Sequence, residues 1–401
     1  MKRSLFIEYI LVVFILLWSG GVFTYGTFSA WPYVLPFVTG IIFFKRKGHL
    51  NRGVIMFISL CTIIAFLQAV KFGGPITSIA EPTLKMLTCA FIAYIVFPNF
   101  KKVFINVVSF FAITSLFFWV IDLTPFGHSA LLSIASSLPQ LGTDNYTQIA
   151  NDVYQSREVF SLYLYNVFSI TSSSEFYTLL RNSGPFWEPG RFTIPLTIAI
   201  MMILFDENYR KQYRKWLYIL LAANITTFST TGFCVMFIVL YGIIVNSNKS
   251  FASKFFVGII AVVCLVYVMG LSFMGDKIIT ASSDTEVANS RFGAMFYHWT
   301  QIVGSPIIGY GAFLQNQYSF LEQSPCGWTE MMRSWGIPFS ILSWYFLYKG
   351  CKIYSPNNKR SQLFSWLAVM GLAFPQSIMM APLFLTFYFF AFCKSENNDK
   401  E

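Results

Sequence analysis

Apolar windows of about 15–20 residues, the length that crosses a bilayer as a helix, recur along this chain. They centre on 5–20, 28–44, 53–70, 84–98, 103–121, 191–205, 216–229, 232–246, 254–274, 335–349, 361–373 and 376–393. In lipid every backbone N–H and C=O must find its partner within the protein, which leaves helices as the spanning elements for windows of this length. The expected fold is therefore all-α: a polytopic integral membrane protein, a single membrane domain over 1–401 with about 12 transmembrane helices. The second, sixth, seventh and eleventh windows are short, so a count of ten or eleven stays open. Charge is correspondingly scarce, at 11% of residues against 55% hydrophobic, where soluble domains carry about 25% charged. Met1-Lys2-Arg3 followed by apolar residues from Leu5 resembles a signal peptide, but no small-residue cleavage site follows, and an uncleaved first helix is expected.

The distribution of basic residues orients these windows. With both termini cytoplasmic, 20 of the 28 Lys and Arg fall in inner segments and 8 in outer ones, the bias that the positive-inside rule describes. The net charge of +10 is then a topology signal, and nucleic acid is not an expected partner. The outer eight are Lys71, Lys85, Arg157, Arg181, Arg191, Lys277, Arg291 and Arg333, five of them arginine; only six of the inner twenty are. Arginine presents a planar fork that matches phosphate and carboxylate, whereas lysine is a point charge.

Two connections are long, 122–190 and 275–334, and both lie on the outer side in this orientation. Long loops in compact proteins are functional or disordered, and these are too aromatic for disorder: the first holds Tyr146, Tyr154, Phe160, Tyr163, Tyr165, Phe168, Phe176 and Tyr177. In the run Arg181-Asn182-Ser183-Gly184-Pro185-Phe186-Trp187-Glu188-Pro189-Gly190-Arg191, Pro189 suits the first position of the sixth helix. Glu188 would cap it, ionised by the helix dipole and so suited to binding or orienting. Arg191 lies in the first turn, where a cation is disfavoured; it either pairs with Glu188 across the turn or, with Arg181, binds an anion.

In the second loop Asn289 or Ser290 suits an N-cap, and Phe292, Met295, Phe296, Trp299, Ile302 and Val303 follow at helical spacing. An amphipathic interfacial helix is expected, with Arg291, Ala294, His298 and Gln301 in one polar stripe. The turn Ser305-Pro306-Ile307-Ile308-Gly309-Tyr310-Gly311 ends it, and its glycines offer a weak signal for backbone N–H groups aimed at an anion. Glu330 and Arg333 form another pair three apart, with Thr329 a candidate cap for the helix that follows. A local salt bridge is the simpler reading of that pair. Metal and disulfide chemistry find no footing. His49, His128 and His298 have no ligand spacing to a cysteine, and Cys326 is the one cysteine assigned to an outer loop. No metal or other cofactor is expected.

Three blocks in order carry a resemblance: Arg181 to Arg191 leading into a span, Phe228-Ser229-Thr230-Thr231-Gly232 between two spans, and Arg291 to Gly311, followed by a Gly336-Ile337-Pro338 step. Together they resemble the bacterial O-antigen polymerases (Wzy type) of the polymerase and ligase superfamily. Only 181–338 carries the resemblance; the earlier spans match in hydropathy alone. It implies a metal-independent glycosyltransferase of the bacterial inner membrane that joins undecaprenyl-diphosphate-linked oligosaccharide repeat units on the periplasmic face. Its partners would be those lipid-linked glycans and the bilayer, with a chain-length regulator as a further candidate. Carried over residue by residue, Arg181, Arg191 and Arg291 would hold the diphosphate; Arg333 joins them as a candidate, and Glu188 would orient donor or sugar. Ligase relatives carry a His-Asn type motif before the Gly-Ile step; here Cys326 to Met332 holds no histidine. The catalytic candidates are then His298 and Glu330, with imidazole the group whose ordinary pKa suits proton transfer.

A lipid-linked oligosaccharide flippase is the competitor from another class, and an O-antigen ligase the competitor within the superfamily. Transporters place ionisable groups within their spans, whereas the mid-span windows here are almost free of charge. A polyprenyl-phosphate-sugar transferase would want paired carboxylates within 20–30, which has none, and an acyltransferase would want a histidine deep in a span.

Overall fold

The computed structural model describes residues 2–21, 31–138, 146–150, 153–171, 180–247, 250, 252–256, 258–260, 263, 291–311, 326–355 and 358–393. The chain is mostly helical. Its helices in order are α1 Lys2–Trp18, α2 Trp31–Lys45, α3 Arg52–Phe72, α4 Thr77–Val96, α5 Phe100–Asp122, α6 Pro125–Ser137, α7 Pro189–Leu204, α8 Glu207–Gln212, α9 Arg214–Thr226, α10 Thr230–Asn246, α11 Arg291–Gly304, α12 Gly327–Trp335, α13 Ile337–Gly350, α14 Lys359–Ala373 and α15 Pro382–Phe390. Among the described residues α3, α4 and α5 are long and apolar enough to cross a membrane, and α1, α2, α7 and α10 are shorter apolar helices. This is the signature of a membrane protein. At 1.5 Å per residue, α5 measures about 34 Å, the thickness of a hydrocarbon core with a little to spare.

Helices occupy most of the apolar windows, with two departures. The window expected at 376–393 opens as turns, and its helix is only the nine residues Pro382–Phe390. Pro375 and Pro382 bracket that turn region; the first cannot continue α14 and the second fits only a first turn. The larger departure is in 122–190. The expectation was all-α, but a three-stranded antiparallel sheet forms there from β1 Tyr146–Ala150, β2 Val153–Ser161 and β3 Asn166–Thr171, in the order β1-β2-β3. Val153, Tyr154, Val159, Phe160, Val167, Phe168 and Ile170 are β-branched or aromatic, types that fit a pleated surface better than a helix. Phe160 pairs with Val167 and Ser161 with Asn166 beside the connection between β2 and β3. The ninth window, beyond the few residues described within it, lies outside the described residues, as do 275–290 and 312–325.

Contacts divide the chain into two compact units, Met1–Ser29 with Lys101–Phe233, and Ala30–Phe100 with Cys234–Glu401. In the first, α5 is tied near its start and along its length. Lys101 Nζ lies 2.6 Å from Asp206 Oδ2 while Asp206 Oδ1 caps α8, and Asn106 Nδ2 donates to Tyr9 Oη of α1 at 2.6 Å. Every residue of α7 from Phe192 to Ile203 is buried, as expected for a helix apolar on all sides. The polar positions on α7 are bonded sideways: Thr193 Oγ1 donates to Asn224 Oδ1 (2.8 Å) and Asn224 Nδ2 to Thr197 Oγ1 (3.0 Å). Beyond α5, Leu131, Ala135, Tyr165 and Val167 form a small core between α6 and the sheet.

In the second unit α4 packs on α2, α3 and α15, and Phe57 of α3 is ringed by Phe339, Phe346, Tyr388 and Phe389. Gln68, a polar residue on apolar α3, donates its amide to the Ser334 carbonyl at 2.7 Å and to that of Ile308. This clamps the turn after α11 onto the junction of α12 and α13. The approach there is backbone to backbone: a β-carbon on Gly336 would lie 2.0 Å from the Ile307 carbonyl oxygen, and Gly336 has φ +80°. Gly336→Ala should lower stability by about 3 kcal/mol, since strain and overlap add. A thermal melt of the detergent-purified protein, read by tryptophan fluorescence, should show the corresponding fall in Tm.

Candidate functional site

In the first unit the segment 181–191 is held almost residue by residue. Asn182 N donates to the Thr226 carbonyl (3.0 Å), and its amide donates to Ser115 Oγ (3.2 Å) and Thr226 Oγ1 (3.0 Å). Asn182 Oδ1 accepts from Gly184 N, where φ is +52° and a β-carbon would strike the Phe192 ring. Asn166 binds the Gly184 carbonyl through its backbone N–H and the Phe186 carbonyl through its side chain. Phe186 bridges Gly21, and Trp187 N donates to the Gly20 carbonyl. The two arginines at either end therefore stand on fixed backbone.

Arg181 is half-buried, and its Nε donates to the Thr227 carbonyl at 3.1 Å. Thr227 is the C-cap of α9, where a cation suits the helix dipole. Glu188 takes the N-cap position of α7 and Pro189 the first turn, as the spacing predicted, although the Glu188 carboxylate makes no cap hydrogen bond. It lies 3.8 Å from Arg191 Nε instead, with side-chain exposures of 42% for Glu188 and 27% for Arg191. The Arg191 stem crosses Gly20 so closely that a β-carbon there would come within 2.8 Å of its Cδ. The result is a partly exposed guanidinium and carboxylate at the head of a buried apolar helix. The Phe228 to Gly232 block lies in the same unit: Gly232 is in contact with Thr193 and Asn224, and Phe228 has φ +44°.

The second unit holds the other candidates. α11 runs over Arg291–Gly304, as the apolar spacing predicted, but His298 and Gln301 of its polar stripe face inward. His298 and Gln301 are buried, while Trp299 and Val303 are exposed. The side chain of Arg291, the first residue of the helix, lies outside the described residues, as do Asn289 and Ser290. His298 Nδ1 is 3.0 Å from Thr329 Oγ1, and Nε2 is 3.6 Å from Glu330 Oε2. Arg333 Nη2 donates to both Glu330 oxygens, at 2.7 and 2.9 Å, and Ser334 Oγ donates to Oε1 at 2.9 Å. His298 is 0% and Arg333 1% exposed. Burial is the main reason that the His298 pKa falls to about 4; Glu330 acts to raise it and Arg333 to lower it.

Two details differ from the sequence expectation. Cys326, not Thr329, is the N-cap of α12; Thr329 sits in the first turn, where its hydroxyl reaches His298. The glycine turn aims no N–H at a ligand: Gly309 N donates to the Ser305 carbonyl, Tyr310 N to Arg333 and Gly311 N to Ser334. Backbone-to-backbone packing is what these glycines permit, since a β-carbon on Gly309 would lie 2.6 Å from the Ser334 carbonyl.

A further polar cluster has no local sequence signature. Asp122, the last residue of α5, accepts a hydrogen bond from Tyr165 Oη at 2.8 Å and pairs with His128 Nδ1 at 2.8 Å. Its carboxylate is fully buried, whereas the His128 side chain is 33% exposed. Burial, and secondly the Asp122 charge, push the Tyr165 hydroxyl up and keep it protonated. Six residues and a helix break separate Asp122 from His128, and Tyr165 follows the second strand, so no periodicity could join the three. No group of three or more His, Cys, Asp or Glu suited to a metal ion occurs among the described residues.

Removing one partner from a buried ion pair strands the other, at a cost of roughly 3–5 kcal/mol. Arg333→Ala should therefore unfold at markedly lower temperature than wild type. Arg333→Met with Glu330→Met should recover much of that loss, because the two effects are coupled. His298 gives a pH signature. Unfolded, its imidazole binds a proton below about 6.5; folded, only below about 4. Unfolding takes up a proton between those values, so stability falls by roughly 3 kcal/mol as pH drops from above 6.5 to 4. A melt series across that range should show the fall, and His298→Gln should flatten it. Neither a protein-family model, nor a curated protein, nor a solved structure matches this chain.

Proposed function

We propose that this protein is a surface-polysaccharide (O-antigen type) polymerase: a multi-pass protein of the bacterial inner membrane that joins undecaprenyl-diphosphate-linked repeat units on the periplasmic face. In this reading about twelve helices span the bilayer, both termini are cytoplasmic, and 122–190 and 275–334 are the two large periplasmic loops. The observation that carries it is the partly exposed Arg191, laid across Gly20 beside Glu188 at the mouth of a buried helix. A cation there opposes the helix dipole, and its guanidinium is partly exposed, so an anionic ligand can reach it. A diphosphate is such an anion, and guanidinium forks neutralise the charge that grows on it as the acceptor hydroxyl displaces it from the anomeric carbon.

Arg181 and Arg191 of the first unit are the residues proposed to hold the diphosphate, and Glu188 to orient the donor; the resemblance adds Arg291, whose side chain lies outside the described residues. Arg333 is buried against Glu330, so its contribution in this reading is to hold that carboxylate. His298 and Glu330, the catalytic candidates of the sequence, are both buried within their own network, and the acceptor role that the sequence offered them does not suit that burial.

Arg191→Ala and Arg291→Ala should each abolish chain growth at normal membrane level, and Lys at either position should rescue only in part, because a point charge lacks the fork. The test is a gel of surface glycans from cells lacking the gene, with and without a plasmid copy. Lipid cores bearing one repeat unit in the knockout, with the ladder restored by the plasmid, support the polymerase. Cores bearing no repeat unit while lipid-linked units accumulate would move the reading to a flippase or ligase, and unchanged polymer in both alanine variants would remove the diphosphate site.

A further inference from the structure

Ser115, Trp119 and Asp122 are spaced along α5 so that they share one face of its last turns. Each fastens a different piece of the first unit. Ser115 Oγ accepts from Asn182 Nδ2 at 3.2 Å, Trp119 Nε1 donates to the Leu180 carbonyl at 3.0 Å, and Asp122 binds His128 and Tyr165, each at 2.8 Å. Arg181 lies between Leu180 and Asn182. The same end of the same helix face therefore positions Arg181 and His128, and Trp119 and Asp122 are only about 4.5 Å apart along the axis.

The geometry at His128 has a chemical direction. Asp122 closes α5 where the helix dipole disfavours an anion, and its carboxylate is cut off from water, so it needs donors. Tyr165 supplies a hydroxyl and His128 an Nδ1–H, since a carboxylate only accepts. The imidazole proton is thus fixed on Nδ1, which leaves the Nε2 lone pair as the base, on a side chain that is one-third exposed. His298 contrasts on each count: it is fully buried, and its Nε2 faces Glu330.

We infer that His128, held by Asp122, is the proton acceptor for the incoming sugar hydroxyl, an assignment that rests on the glycan-transfer reading above. As the hydroxyl oxygen bonds to the anomeric carbon, its proton passes to His128 Nε2. The bond from that carbon to the diphosphate oxygen breaks, and the electron pair stays on the diphosphate of the lipid carrier. The imidazolium, stabilised by Asp122, then returns the proton to water. Asp122 acts through His128 as a positioning residue, and Tyr165 fixes Asp122.

The experiment uses membranes from a strain lacking the gene and complemented with wild type, His128→Ala or Asp122→Asn. Elongation of the strain's own lipid-linked repeat units is measured per molecule of protein, by immunoblot, against repeat-unit concentration. Loss of elongation by about 10²-fold or more in His128→Ala, partly restored by added imidazole, is expected, together with a fall in kcat at unchanged KM in Asp122→Asn, whose amide can donate to Nδ1 and turn the proton to Nε2. Normalising per molecule keeps poor insertion out of the comparison. A His128→Ala protein that elongates like wild type, or one that is inactive and indifferent to imidazole, overturns the assignment. Failure of the wild-type copy itself to elongate would instead remove the polymerase reading, so the two failures are distinct.

Discussion

A carboxylate shut away from water must be given donors by the chain around it, because an uncompensated buried charge costs several kcal/mol. Two such groups, Asp122 in the first unit and Glu330 in the second, each gather several donors, and they solve the problem differently. Glu330 lies in the first turn of α12, where the dipole favours it, and its donors Arg333 and Ser334 come from the next turn of the same helix. That network is local and nearly complete before any other element arrives; His298 joins it from α11. Asp122 ends α5, where the dipole opposes it, and must collect His128 from α6 and Tyr165 from beyond the second strand. Its solution exists only once the region after α5 has folded back.

This difference explains how much could be read from the sequence. Apolar windows located most of the helices, and the spacing of Pro189 and Glu188 located the start of α7. The two Glu–Arg pairs three apart are both present as pairs, because neighbours on one helix need no tertiary information to meet. Asp122, His128 and Tyr165 needed such information and could not be joined in advance. Periodicity grouped Arg291, Ala294, His298 and Gln301 on one face of α11 but could not say which way that face turns. In water a polar stripe points out; where the surroundings are apolar, Trp299 and Val303 point out and His298 and Gln301 turn in. The glycines of 305–311 were legible as a tight turn, but whether freed N–H groups reach a ligand or a carbonyl depends on the α12–α13 junction that packs against them. The sheet was missed because lipid-like composition was extended to a segment whose β-branched and aromatic residues favour strands.

The same motif can carry opposite duties, and burial decides between them. Glu188–Arg191 and Glu330–Arg333 share spacing, helix position and charge. Arg333 is 1% exposed with one nitrogen on both carboxylate oxygens; moving it onto a ligand would strand Glu330 in an apolar interior. Arg191 is 27% exposed and 3.8 Å from a Glu188 that is itself partly accessible. Loosening that pair leaves two groups that water can still solvate, and exposed pairs are worth at most about 1 kcal/mol. A site that must bind and release an anion on every cycle needs the second kind of arginine. A framework that must hold α11, α12 and the glycine turn in place needs the first. By the same measure, His128 rather than His298 is the imidazole fitted for chemistry. Each has its Nδ1 beside a polar partner, but the His128 side chain is one-third exposed where that of His298 is buried.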